Sequence, residues 1–248
     1  MLSKSRPPFT PTALHHLVQH QAELAPETTA LWWQGCATSY SELWQRIEHL
    51  AGRLTGTGEP GQRIAVLAFN CPELLQLIYA VPAAGQVLVP LNARLAPAEL
   101  VEQLKRSGAR KLFGDAKLLA TLTQCSNFQT AIEAVAEPAV EIIPFDASPF
   151  DHIPFDNSFS QWLTGAQGSL PATNPQDPVW ILFTSGSTGR PKGAVLTHQS
   201  FLAGLDSAAL GRPVLSSDRY YYPFPLFHVA AHNVMLQHQH GAAVVLAR

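Results

Sequence analysis

The chain has 248 residues, 46% of them apolar, with a formal net charge of −2. That is enough to bury a large core at the upper end of single-domain size, and the near-neutral balance gives nucleic acid or an anionic membrane no electrostatic footing as a bulk partner. Three scattered cysteines, Cys36, Cys71 and Cys125, define neither a disulfide framework nor a metal site and read as buried or half-buried thiols of a reducing compartment.

Residues 1–11 read as a lead-in without the apolar segment of a secretory signal. Over 12–24 the spacing of Leu14, Leu17, Val18 and Leu24 predicts an amphipathic helix capped by Thr12, with His15, His16 and His20 facing solvent. His16 and His20 have the spacing of a metal pair but lack a third ligand. Two short strands, 30–33 and 37–40, flank a Gln34-Gly35 turn, and Ser39 with Glu42 forms a capping box opening a helix striped by Leu43, Ile47, Leu50 and Leu54. A turn-rich break is expected at 52–61.

A strand at 63–69, a helix at 71–84 started by Asn70 and Pro72, and a strand at 87–90 make a βαβ unit, hence a parallel sheet covered by helices. The window 74–91 is the most apolar of the chain, but Gln76, Pro82 and Gln86 interrupt it, so it is not a membrane span. The rhythm continues with a helix at 97–107, a strand at 111–113, a helix at 116–122 and a strand at 139–143. An irregular connector at 144–157, a short helix at 158–164 and a polar loop at 165–178 follow.

The apolar run Val179 to Phe183 then empties into Thr184-Ser-Gly-Ser-Thr-Gly-Arg-Pro-Lys-Gly193, and a second apolar run, 194–196, returns. Glycines 186, 189 and 193 permit positive φ and close backbone approach, so that successive N–H groups can line one concavity. Thr184, Ser185, Ser187 and Thr188 add hydroxyls, and Lys192 adds a point charge behind the stiff Arg190-Pro191 turn. A polyphosphate is the natural guest. The pattern is not a Walker A loop, because Pro191 stands where its second glycine would be and no Gly-Lys-Ser/Thr tripeptide follows.

Beyond the loop a helix at 198–210, a strand at 219–222 and a strand at 242–247 are expected, with PFPLFHVAAHNVMLQHQHG between the last two. His228 and His232 are one helical turn apart, but Val229 occupies the place of a zinc protease's glutamate, so no metal site is assigned. Val234, Met235 and Leu236 read as helix core, and Tyr220 to Tyr222 as an aromatic strand.

TSGSTGRPKG resembles the phosphate-loop signature of the adenylate-forming superfamily, which includes acyl-CoA synthetases, peptide-synthetase adenylation domains and luciferases. PLFHVAA resembles its second motif, and TSYSEL and VPLNARLAPAEL resemble earlier stretches. The resemblance implies an α/β fold of parallel-sheet layers with flanking helices, residues 1–248 being the N-terminal part of the large domain. It implies a ligase that activates a fatty or aryl carboxylate with ATP and Mg²⁺ as an acyl adenylate, then transfers the acyl group to CoA. Thr184, Ser185, Gly186, Ser187, Thr188, Gly189 and Lys192 would hold the phosphates. His228 would lie by the substrate carboxylate and shape thiol access, with Phe227, Val229 and Asn233 as acyl-site candidates.

The chain departs from the family in lacking the adenine-binding segment with its Thr-Glu pair, the ribose-gripping aspartate and the adenylation lysine. It is therefore expected to be inactive alone, and its open sheet edge to favour association, a homodimer included. A cytoplasmic location is expected. Two other functions stay open: an adenylation module loading a carrier-protein thiol, and a non-catalytic phosphate-binding remnant.

Overall fold

The computed structural model describes residues 9–128, 130, 140–146, 158–184 and 191–247. In chain order α1 (His16–Leu24) is followed by the hairpin β1 (Thr29–Trp33) and β2 (Cys36–Ser39). Gln34 and Gly35 both have positive φ, 49° and 82°, as a two-residue hairpin turn matched to the strand twist requires. Helix α2 (Tyr40–Thr57) starts on the Ser39–Glu42 capping box, and Leu43, Ile47, Leu50 and Leu54 are all buried.

This helix continues through Gly52 and Gly56, where the sequence suggested a break. The two glycines are one turn apart on one face, and the 166–168 segment lies against them. A Cβ on Gly56 would stand 2.7 Å from the Ala166 carbonyl oxygen, and the Gly168 N–H bonds the Gly52 carbonyl at 2.7 Å. Tertiary contact outweighs the helix propensity lost at glycine.

The next elements are β3 (Arg63–Leu67), α3 (Pro72–Ala83), β4 (Val87–Pro90), α4 (Pro97–Ser107), β5 (Lys111–Gly114), α5 (Ala116–Thr123), β6 (Glu141–Pro144) and α6 (Phe159–Leu163). The chain ends with β7 (Pro178–Thr184), β8 (Lys192–Thr197), α7 (His198–Gly211), β9 (Arg219–Tyr222), α8 (His232–Gln239) and β10 (Ala243–Leu246). Most of the expected connector, 147–157, lies outside the described residues.

Two sheets result. The larger has the order β6-β5-β3-β4-β7-β8 and the smaller β2-β1-β10-β9. The βαβ units pair in parallel as expected. Both sheets are nevertheless mixed, because β8 and β2 each return antiparallel through a hairpin. On β3, Ile64 and Val66 belong to the larger core while Ala65 and Leu67 belong to the smaller one, the two-residue alternation of a strand buried on both faces.

The histidines of the first helix are not solvent-facing. His15 is buried, its ring 6.2 Å from that of Trp44 and 6.4 Å from that of His198. His16 is half-buried, and His20 stacks on Phe9 at 3.8 Å. Leu24, placed on the apolar stripe by its spacing, is 56% exposed. The helix meets both α2 and α8, and two neighbours leave it less solvent-facing surface than a single amphipathic stripe implies.

Candidate functional site

The β7–β8 hairpin carries the phosphate-loop sequence at its tip. The strands pair from Pro178↔Thr197 to Thr184↔Lys192, so Thr184 and Lys192 face each other across the mouth of the loop, and the Thr184 hydroxyl lies 3.4 Å from the Lys192 carbonyl oxygen. Both side chains are exposed. Ser185, Gly186, Ser187, Thr188 and Gly189 lie outside the described residues. Gly193 does not have the positive φ suggested by its place in a glycine-rich loop. It pairs with Phe183, and a Cβ there would stand 2.7 Å from Ile181 Cγ2, so this glycine is required for close packing across the hairpin.

The second motif is tethered from far away in sequence. Asn70 spends its side-chain amide on backbone in the 224–247 region instead of capping α3. Its Nδ2 donates to the carbonyls of Phe224 at 2.9 Å and Ala247 at 3.0 Å, and its Oδ1 accepts from the Leu226 N–H at 2.8 Å. The loop leaving β3 is thereby fixed to the segment entering the motif and to the end of β10. The tether made by Asn70 is not legible in the sequence, which places the residue at a helix start; its chemistry is visible there, its partners 154 to 177 residues away are not.

Within the motif the candidates separate. Phe227 is 6% exposed and packs with sheet residues of the smaller core, Ile181 and Phe183 among its partly buried neighbours. His228 is exposed, and its Nδ1 accepts from the Ala230 N–H at 3.4 Å, capping a single turn of 3₁₀ helix at Val229–Ala231. Val229 and Asn233 line a cavity of about 460 Å³ together with Leu196, Phe201, Arg212 and His232. That volume is in the range of small-molecule sites. Leu196 comes from β8, so the second strand of the β7–β8 hairpin and the segment after His228 form walls of one cavity.

Burial lowers the pKa of His232, the backbone at Phe201 pulling upward and the Arg212 charge adding to the drop. The imidazole is therefore mainly neutral at pH 7. Among the described residues no group of three histidine, cysteine, aspartate or glutamate side chains is placed to hold a metal ion.

A smaller crevice, about 260 Å³, opens at the carboxyl ends of β3, β5 and β6 beside Trp33, Phe69 and Asn70. Open α/β sheets often bind ligands there. Two of its three carboxylates are already committed, Asp115 to the N–H groups of Lys117 and Leu118 and Asp146 to Ser160, the third being Glu73.

A family model for AMP-binding enzymes matches residues 18–248. Feruloyl-CoA synthase of Amycolatopsis sp is 34% identical over 212 residues, 85% of this chain and 38% of that protein. Indoleacetate–CoA ligase of Aromatoleum aromaticum is 30% identical over 224 residues, 89% of this chain and 42% of that one. The crystal structure of the N-terminal domain of FACL13 from Mycobacterium tuberculosis superposes with a TM-score of 0.79 at 26% identity, over 95% of this chain and 57% of that chain. The chain thus spans about two fifths of the length of these curated relatives.

Proposed function

The chain belongs to the family of AMP-binding enzymes, and from that premise we propose that the protein carrying it is a carboxylate–CoA ligase working through an acyl adenylate. A carboxylate oxygen bonds to the α-phosphorus of ATP, and the bond from that phosphorus to the oxygen bridging to the β-phosphate breaks, releasing pyrophosphate. The sulfur of CoA, giving up its proton, then bonds to the acyl carbon, and AMP leaves with the electron pair of the carbon–oxygen bond.

One observation carries the reading: Leu196 of the phosphate-loop hairpin and Val229, Ala230, His232 and Asn233 after His228 share a single cavity. An acid seated there has the polyphosphate loop at one end of the hairpin and the exposed His228 beside it. Lys192 supplies positive charge to the phosphates and to departing pyrophosphate, with Thr184, Ser185, Ser187 and Thr188 as hydroxyl donors and Gly186 and Gly189 letting the backbone close in. His228 orients the substrate carboxylate. Mg²⁺ arriving with the nucleotide would share with Lys192 the neutralisation of the triphosphate charge.

Similarity to feruloyl-CoA synthase and indoleacetate–CoA ligase supports an aryl acid as substrate. Similarity to the fatty acid–carrier-protein ligase ScoC of Streptomyces coeruleorubidus, 32% identical over 208 residues, makes a carrier-protein thiol the second reading for the acceptor. The test is carboxylate-dependent ATP–pyrophosphate exchange and thioester formation by the whole protein, with CoA and with a phosphopantetheinyl carrier offered separately. Absence of exchange across a panel of aryl and fatty acids would sink the ligase assignment.

A further inference from the structure

His228 sits on a turn too short to hold itself. Val229–Ala231 is a single turn of 3₁₀ helix, and such turns have poor hydrogen-bond geometry and little stability of their own. A chain of hydrogen bonds reaches this turn from the end of α7. Arg212 donates to Asn233 Oδ1 at 2.9 Å, Asn233 Nδ2 donates to the Ala230 carbonyl at 3.1 Å, and the Ala230 N–H donates to His228 Nδ1 at 3.4 Å. We propose that Asn233 and Arg212 are positioning residues: they hold Ala230 so that His228 keeps Nδ1 as an acceptor and leaves the hydrogen on Nε2 for the substrate carboxylate. The tautomer is set without any substrate, but its catalytic use rests on the ligase reading above.

Donors and acceptors alternate along this chain in only one way. A guanidinium only donates and a carbonyl only accepts. The Asn233 amide between them therefore has one orientation, oxygen toward Arg212 and nitrogen toward Ala230. A flipped amide would set donor against donor and acceptor against acceptor. At the other end a backbone N–H only donates, so Nδ1 accepts, and in the neutral imidazole the hydrogen is then on Nε2. A carboxylate accepts only, so a donor is what it needs from His228.

Both ends of the chain are anchored in the main chain. The Arg212 N–H bonds the Ala208 carbonyl at 2.9 Å, closing α7, and Pro213 restricts the Arg212 backbone from the other side. The His228 N–H bonds the Pro225 carbonyl at 3.2 Å, and the His228 carbonyl accepts from the Ala231 N–H at 3.0 Å. His228 is thus left chiefly its side-chain torsions, and the bond from Ala230 sets the ring. At 3.4 Å that bond is the longest of the three, so it is the first lost if Ala230 shifts. Bracing Ala230 through Asn233 is what keeps it.

The experiment measures kcat/KM of the whole protein for CoA-thioester formation, with the best carboxylate of the panel above, in single variants and in a His228→Ala background. Asn233→Ala should lower it roughly 10- to 100-fold, the scale of a misplaced reacting group. Arg212→Met should cost roughly 3- to 10-fold, the worth of one hydrogen bond, and Arg212→Lys, which still donates, should recover most of it. Arg212 is exposed, so its variants test the chain even if Asn233→Ala folds poorly. In the His228→Ala protein neither Asn233→Ala nor Arg212→Met should cost anything further, whereas a merely structural role would lower activity by the same factor again. Nitrogen NMR of the 248-residue chain, above the titration range of histidine, should show His228 as the Nε2–H tautomer, and a mixture of tautomers in Asn233→Ala. Additive losses, an Asn233→Ala protein with full activity, or an unchanged His228 tautomer in that variant would overturn the proposal and leave the ligase reading intact. If no carboxylate gives a thioester, the ligase reading falls and takes the proposal with it.

Discussion

Replacing His238 by glutamine should flatten the acid sensitivity of this fold by an amount that the structure sets. His238 is fully buried on α8, with Nε2 3.2 Å from the Ala30 carbonyl oxygen and Nδ1 2.7 Å from the Tyr79 hydroxyl. A carbonyl only accepts, so Nε2 carries the proton and Nδ1 accepts from Tyr79. The neutral ring is satisfied at both nitrogens, whereas a second proton on Nδ1 would meet a hydroxyl hydrogen already pointing at it. Tyr40 packs edge-on against the imidazole, its own hydroxyl donating to the Ala242 carbonyl at 2.7 Å.

Burial accordingly lowers the His238 pKa from 6.5 to about 4, the Ala30 carbonyl opposing the drop. A depressed folded-state pKa means that the stabilising contribution is complete above pH 6.5 and is lost as pH falls toward 4, because the unfolded chain takes up the proton first. Between pH 7 and pH 5 the loss through this one residue is about 2 kcal/mol. His15, lowered to about 3, and His198, lowered to about 4, act in the same window, again chiefly through burial. The unmodified chain should therefore lose several times that amount, a large part of a typical stability of roughly 5–15 kcal/mol. Urea unfolding of the unmodified and His238→Gln chains at pH 7 and pH 5 isolates the single contribution: the variant should start less stable at pH 7 and lose about 2 kcal/mol less on acidification. Equal losses in the two proteins would show that His238 titrates normally in the folded state and would refute the reasoning.

Gly114→Ala should destabilise by about 3 kcal/mol or more, since the new Cβ would stand 2.2 Å from the Leu67 carbonyl oxygen on the neighbouring strand; a melting temperature within two degrees, roughly 1 kcal/mol or less at this chain length, would contradict the packing. Asn70→Asp keeps an acceptor for the Leu226 N–H but turns oxygen toward the carbonyls of Phe224 and Ala247, so it should cost about 2–3 kcal/mol and speed hydrogen exchange at the Leu226 amide; unchanged exchange there would remove Asn70 from its tethering role. Lys192→Met in the whole protein should lower ATP–pyrophosphate exchange by about 100-fold or more, with ATP titrated to separate binding from turnover. The 248-residue chain alone is expected to give no carboxylate-dependent exchange, and observed exchange would mean that these residues already hold a working adenylation centre.

Local pattern settled much of this architecture in advance. The Ser39–Glu42 box, the stripe on α2 and the β3–α3–β4 unit are written within a few residues of where they act, because hydrogen-bond reach and helical or strand period are local properties. The hairpin that presents the phosphate loop was equally legible, two apolar runs flanking hydroxyls, glycines and a lysine. What sequence did not contain was the identity of distant neighbours. Gly52 and Gly56 have the local character of a break, yet the 166–168 segment lies on them and the helix runs through. Asn70 read as a helix starter although its amide belongs to Phe224, Leu226 and Ala247.

The same limit governed the candidate site. Phe227, Val229 and Asn233 are near neighbours in one motif, and no periodicity distinguishes a ring in the sheet core from side chains on a cavity wall; only the packing of residues 225–233 against two different elements does that. The histidines make the point in reverse. His15 and His238 carry a polar side chain that composition places at the surface, yet both are buried, His15 against Trp44 of α2 and His198 of α7, His238 against Tyr40 of α2, Tyr79 of α3 and the Ala30 carbonyl of β1. The chain by itself determined which chemistry was present and in what order. Tertiary structure decided which groups lose water and which lie against one another, since burial and long-range hydrogen bonding depend on segments 150 and more residues apart.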